Sequence, residues 1–176
     1  MNILIVHQNF PAQFKHLAPA LQSAGHRVTA LVPADRSQTK SNGIHLIPYS
    51  LSRGNAKDAH RWVTDFESKV IRGEACLRVA LDLKAQGYSP DIILAHPGWG
   101  ESLFLTEVWP AAKLKLYCEF FYHPQGADVG FDQEFKSRDP AHVGGVAVKN
   151  ANFLLHFQNA HSGLSPTFWQ ASTFPD

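Results

Sequence analysis

A chain of 176 residues that is 44% hydrophobic and 18% charged is one domain by size, with enough apolar material for a real core. Its formal net charge of +1 gives no global field to draw in nucleic acid or an anionic membrane, so no nucleic-acid partner is expected. No apolar run approaches the roughly 18 residues of a spanning helix, and Met1-Asn2 leads directly into a strand without a basic leader, so neither a membrane span nor a signal peptide is expected.

Ile3-Leu4-Ile5-Val6 is a continuous β-branched and leucine run, the mark of a central parallel strand. Pro11 suits the first turn of a helix, Phe14, Leu17, Ala18 and Leu21 recur at helical spacing, and Gly25 is placed as terminator. Val28 to Val32 forms the second strand. Residues 34–43 read as a loop, and Ile44 to Tyr49 as a third strand nearer the sheet edge. A long helix is expected from about Ala56 to Gln86, with Trp62, Phe66, Val70, Leu77 and Leu81 on its inner face and Gly73 permitting a bend. At about 1.5 Å per residue it would span roughly 45 Å. Gly87 ends it.

Asp91 to Ala95, bounded by Pro90 and Pro97, has no room for a helix and reads as a fourth buried strand. Gly98 to Val108 is expected as a helix and Lys113 to Glu119 as the fifth strand. Phe120 to Arg138 is a long loop carrying Phe120, Phe121, Tyr122, His123, Phe131 and Phe135, and loops of that length are usually functional. A helix should run from Asp139 or Pro140 to about Asn159, with Val143, Val146, Ala147, Ala151, Leu154 and Leu155 inward. Ala160 to Leu164 gives a last strand, and Ser165-Pro166-Thr167 turns into a short terminal helix. The closing Ser-Thr-Phe-Pro-Asp stops without a closing element, which suggests a piece of a longer protein.

Strands alternating with helices imply an α/β fold, a doubly wound, Rossmann-like parallel sheet. With the common order 3-2-1-4-5, the first and fourth strands meet where the winding reverses. His7 and His96 then share the rim of one crevice, at the strand ends where such sheets bind ligands.

The first turn, His7-Gln8-Asn9-Phe10-Pro11-Ala12-Gln13, has no glycine, and no acidic residue ends the second strand at Val32. Both features argue against a dinucleotide cofactor, and no phosphate loop is present. The amides of Gln8, Asn9 and Gln13 suit a hydroxyl-rich ligand, or they cap the helix. In Gly98-Trp99-Gly100-Glu101 the glycines let a backbone approach a ligand. Trp99 either stacks on a sugar face or covers the core, and Glu101 either favours the helix dipole or bonds substrate. Among ten histidines, His16, His26, His45 and His60 read as surface or strand-edge residues. His156 and His161 form no metal spacing, and no bound metal or cofactor is expected. Cys76 and Cys118 read as buried free thiols in a reducing cytosol.

Several stretches carry a resemblance. Asn2 through Pro11, Ala24-Gly25-His26-Arg27-Val28, Pro90 through His96 and Ser165 through Gln170 are similar to family 4 glycosyltransferases. Tyr122-His123-Pro124-Gln125-Gly126-Ala127-Asp128-Val129-Gly130-Phe131-Asp132 resembles a bacterial subgroup of that family. The resemblance implies a GT-B architecture of two Rossmann-like domains across a cleft. Residues 1–176 correspond to the amino-terminal, acceptor-side domain. The missing carboxyl-terminal domain would hold the nucleotide-sugar donor.

By the same resemblance the complete enzyme transfers a sugar with retention, without a bound metal, to a sugar or lipid-linked acceptor. It would be cytoplasmic, with peripheral association at the inner membrane face where relatives build surface polysaccharides, and this domain alone would be inactive. His96 matches the histidine that lies near the transferred sugar and is the candidate catalytic residue. Candidate substrate-binding residues are His7, Gln8, Asn9, Gly98, Trp99, Gly100, Glu101, Glu119, Tyr122, His123 and Ser165. The glycine-poor first turn departs from relatives whose glycines there admit the donor diphosphate. Two alternatives stay open: a nucleotide-sugar epimerase on the same architecture, using Glu101 and Glu119 as its carboxylates, and a non-catalytic Rossmann-like binding domain.

Overall fold

The structure is a computed structural model that describes residues 1–36, 43–127, 129, 132, 134 and 139–175. Phe131, Phe135, Asp128 and Gly130 of the aromatic loop lie outside the described residues.

Six parallel strands form one sheet: β1 (Asn2–Val6), β2 (Arg27–Pro33), β3 (His45–Tyr49), β4 (Ile92–Ala95), β5 (Lys113–Tyr117) and β6 (Ser162–Leu164), in the order β3-β2-β1-β4-β5-β6. The expected order holds, with β6 extending it on the far edge. Ile3 to Val6 are essentially inaccessible to solvent, which is why this run carries no polar alternation. Alternate residues feed two cores. Leu4, Val6, Leu31, Ile93, Ala95, Leu114 and Leu116 face one side, and Ile3, Ile5, Val28, Ala30, Val32 and Leu94 face the other. On the second face Phe10, Phe14 and Ala18 complete the core. The helix expected after Pro11 is two pieces, a 3-10 turn over Ala12–Phe14 and α1 (Leu17–Ser23), and Leu17 is exposed rather than inward.

The first face is covered by α2 (Thr64–Ala85), which starts some way after the expected Ala56. Its buried stripe is Lys69, Gly73, Cys76 and Ala80, whereas Leu81 is exposed. Small residues are needed because the segment after β4 lies hard against the helix. A Cβ on Gly73 would stand 2.9 Å from the Gly100 carbonyl oxygen and 2.9 Å from the Phe104 ring. Gly73 thus permits contact, not a bend.

The segment expected as one helix over 98–108 is also broken. A 3-10 turn spans Pro97–Trp99, and only α3 (Leu105–Val108) is α-helical. Between them Gly100 sits at φ +95, and a Cβ there would strike the backbone of Lys69.

On the same face lies α4 (His142–Phe157), rotated from expectation, so that of the residues expected inward Val146 and Ala151 are only half-buried. Asn150, Asn152, Phe153 and His156 are buried, while Val143, Leu154 and Leu155 are exposed. The reason is hydrogen-bond accounting. α4 covers irregular backbone at the strand ends, and buried backbone groups need partners that aliphatic side chains cannot supply. Asn150 accepts from the Tyr122 amide at 3.1 Å and donates to the Tyr122 carbonyl at 2.7 Å. Asn152 donates to the Pro97 carbonyl. α5 (Phe168–Ser172) follows β6, its first turn capped by the Thr167 hydroxyl. Cys76 and Cys118 are buried free thiols, as expected, with ionisation suppressed by burial.

Candidate functional site

Val6 lies opposite Ala95 in the register of β1 and β4, so His7 and His96 leave the sheet side by side. Their rings stand 5.4 Å apart, edge to face, at the point where the sheet order reverses.

His96 is held from two sides. Its Nδ1 accepts the Gly98 amide at 3.1 Å. An amide only donates, so Nδ1 is unprotonated and the proton sits on Nε2. Nε2–H then donates to Glu119 Oε2 at 3.2 Å, the same oxygen that accepts from Gln13 Nε2 at 3.0 Å. Burial lowers the His96 pKa against the opposing pull of Glu119, which keeps the ring a neutral donor. A Cβ on Gly98 would lie 2.8 Å from the ring, so this glycine makes room for His96 itself.

His7 is buried, and its Nδ1 accepts the Asn9 amide at 2.9 Å. Its pKa falls to about 4, first through burial and then through the neighbouring His96. Its protonated Nε2 has no hydrogen-bond partner among the described residues.

Beneath the turn lies a third imidazole, His156, which the sequence marks only as lacking a metal-ligand spacing. His156 Nδ1–H donates to the Asn152 carbonyl at 2.7 Å, and its Nε2 accepts from the Ser102 hydroxyl at 2.7 Å. The tautomer follows because a carbonyl can only accept. Burial drives this pKa down to about 4 as well. Ser102 and His156 are both sealed from solvent, so the pair fastens the His96 turn to α4 and does not meet ligand.

Glu101 is a correction of the same kind. It is 1% exposed and accepts the Tyr49 hydroxyl at 2.8 Å, so it stands under the site, not in it. Burial raises its pKa, and Oε2 has no partner among the described residues.

Three cavities run end to end over this rim. The central one, about 350 Å³, is lined by His96, Gly98, Trp99, Glu119, Phe120 and Tyr122, with Asp65, Ser68, Lys69 and Arg72 from α2 and Lys149 and Phe153 from α4. Arg72 is shared with a second cavity of about 410 Å³ that includes Gln8, Asn9, Asp35 and Tyr49. Tyr122 and Lys149 are shared with a third of about 400 Å³ that includes Arg61, Trp62 and His142. Each has the size of a small-molecule site.

The family's sequence profile, described as the glycosyl transferase family 4 group, matches residues 24–176. The chain belongs to that family. No curated protein matches it significantly. Among solved structures, MurG of Acinetobacter baumannii is 13% identical, with a TM-score of 0.52, covering 99% of this chain and 43% of its own. The UDP-GlcNAc 2-epimerase of Methanocaldococcus jannaschii is 11% identical, with a TM-score of 0.54, over 98% of this chain and 41% of that one. An Os79 variant from O. sativa solved with UDP is 10% identical, with a TM-score of 0.54, over 98% and 48%. At these identities the likeness is one of fold, and this family 4 chain spans less than half the length of each.

Of the residues anticipated for the site of this family 4 domain, His96, Gly98, Trp99, Glu119 and Tyr122 meet in the central cavity, and Gln8 and Asn9 line its neighbour. His7 lies just behind His96. Gly100 and Glu101 serve packing beneath the turn. His123 is turned away, its Nε2–H donating to the Thr173 carbonyl at 2.7 Å beside α5. Ser165 lines a separate cavity with Cys118, Phe157 and Phe174. Lys69, Arg72, Asp35 and Lys149 were missed. Asp35 follows β2 by two residues, and its position next to the first turn was the one available signal. Among the described residues no three His, Cys, Asp or Glu side chains are grouped as metal ligands would be. No helix among them is long and apolar enough to cross a membrane.

Proposed function

We propose that this chain is the acceptor-side, amino-terminal domain of a glycosyltransferase. A second Rossmann-like domain would supply the nucleotide-sugar, and the sugar would pass with retention to a sugar or lipid-linked acceptor. No resident cofactor or metal takes part in this half of the cleft. The observation that carries the reading is His96, held at the switch point as a neutral imidazole whose one proton faces the groove beside Glu119.

Fixed by the Gly98 amide, His96 can only donate at Nε2. A sugar oxygen entering the cavity replaces Glu119 as acceptor of that proton. Glu119, 38% exposed, is then free to accept from an acceptor hydroxyl while Gln13 still anchors it. The sugar face rests on Trp99 and Tyr122. Such positioned hydrogen bonds act by orientation and charge stabilisation.

The test uses the complete protein, labelled nucleotide-sugars and a panel of acceptors. His96→Gln should lower turnover by about 100-fold, the scale of one lost positioned donor, with the melting temperature checking that the variant folds. Full turnover in that variant would remove His96 from the reaction. The His96–Glu119 pair also suits proton movement at a sugar carbon. Recovery of an isomerised nucleotide-sugar without transfer would favour the epimerase reading instead.

A further inference from the structure

The central cavity has more positive charge than its own carboxylates can neutralise. Asp65 is taken by Lys69 at 2.7 Å, and Glu119 holds Gln13 and the neutral His96. That leaves Arg72 on α2 and Lys149 on α4, both lining the cavity. Among the described residues neither forms an ion pair. Among the described residues Arg72 hydrogen-bonds the Ser68 and Trp99 carbonyls, at 3.5 and 3.4 Å, and its charge also acts on the buried Glu101 carboxyl. Both hydrogen bonds are long for N–H···O, and most of the Arg72 donors remain available. Lys149 Nζ stands 3.7 Å above the Tyr122 ring, which fixes an ammonium without neutralising it. Tyr122 is itself clamped by Asn150. The two cations thus come from different helices and line one cavity together with Trp99, Phe120 and Tyr122.

We propose that this cavity selects a sugar acceptor bearing one anionic group, a carboxylate or a phosphate, held by Arg72 and Lys149 while its ring rests on the aromatic wall. The inference rests on the acceptor-side reading above and names the acceptor's chemistry. Arg72 supplies the planar fork that matches either anion, and Lys149 supplies a point charge. With Lys69 paired to Asp65, Arg72 and Lys149 set against the single charge of Glu119 leave a surplus of one positive charge, which a carboxylate or a singly charged phosphate neutralises. An uncharged sugar leaves that charge unmatched.

The experiment is calorimetric titration of the protein with glucuronate, glucose 6-phosphate, glucose and inorganic phosphate. At least one charged sugar should bind about tenfold or more tightly than glucose, with the preference shrinking as salt rises. The better of glucuronate and glucose 6-phosphate identifies the anion. Arg72→Gln and Lys149→Gln should each reduce the preference, and Lys149→Arg should keep it, with melting temperatures checking that the variants fold. Glucose bound as tightly as both charged sugars, or no measurable binding of either, overturns the proposal. Inorganic phosphate bound as tightly as glucose 6-phosphate also overturns it, because the sugar would then contribute nothing. Binding is read without turnover. Absence of glycosyl transfer therefore counts against the reading of function, and absence of a charge preference counts against this inference alone.

Discussion

Acid should destabilise this domain through its buried imidazoles, and His156 isolates the effect. An unfolded histidine has a pKa near 6.5, while His156 in the fold sits at about 4. Between these values the unfolded chain binds a proton that the native state refuses. Stability is therefore whole above pH 6.5 and is lost as pH falls towards 4. By pH 5 the loss from one such group is about 2 kcal/mol. His7, with the same shift and sign, loses a similar amount. Glu101 opposes them: its raised pKa makes the native state the better proton binder, so its contribution grows as pH falls. A variant comparison removes that opposition. Urea unfolding, followed by tryptophan fluorescence at pH 7 and pH 5, should show a smaller acid loss in His156→Gln than in the parent, by about 2 kcal/mol. Equal acid losses in the two proteins would mean that His156 is not held neutral by burial.

Three further outcomes follow from the same geometry. Gly100→Ala combines a left-handed backbone with a clash against Lys69 and should cost about 3 kcal/mol or more, read from the urea midpoint. Asn150→Ala leaves the Tyr122 amide and carbonyl without their partner. It should destabilise by about 1–3 kcal/mol and speed hydrogen exchange at the Tyr122 amide. Glu119→Gln keeps an acceptor for His96 but removes a charge, so turnover of the complete enzyme should fall less than in His96→Gln. An equal fall would give Glu119 a larger part than orientation.

The sheet was legible because its signals are local and its topology obeys a general rule. Two apolar runs, residues 3–6 and 92–95, and the switch-point principle suffice to bring His7 beside His96. What escaped were contacts made by side chains with backbone far along the chain. Periodicity placed Leu154 and Leu155 of α4 inward, but Asn152 and His156 win that face by bonding Pro97 and Ser102, more than fifty residues away. Glycine in the 98–100 stretch reads from sequence as access for a ligand. In the fold one glycine accommodates the His96 ring and the other the backbone of α2. The cations Arg72 and Lys149 gave no signal, since each is an ordinary charged residue on a long helix until the two helices meet across the same cavity.

The crowding around residues 97–102 has a practical side for anyone wishing to redirect the proposed activity. His96 and Lys69 crowd Gly98 and Gly100, and Tyr49 and His156 bond Glu101 and Ser102. Substitutions at these four positions should cost stability whatever their chemistry. Diversity placed at Phe120, Tyr122 and Lys149 instead alters the wall of the groove while the turn keeps His96 in position. On the acceptor-side reading proposed above, new specificities would be sought at these wall residues, with the histidine turn left untouched.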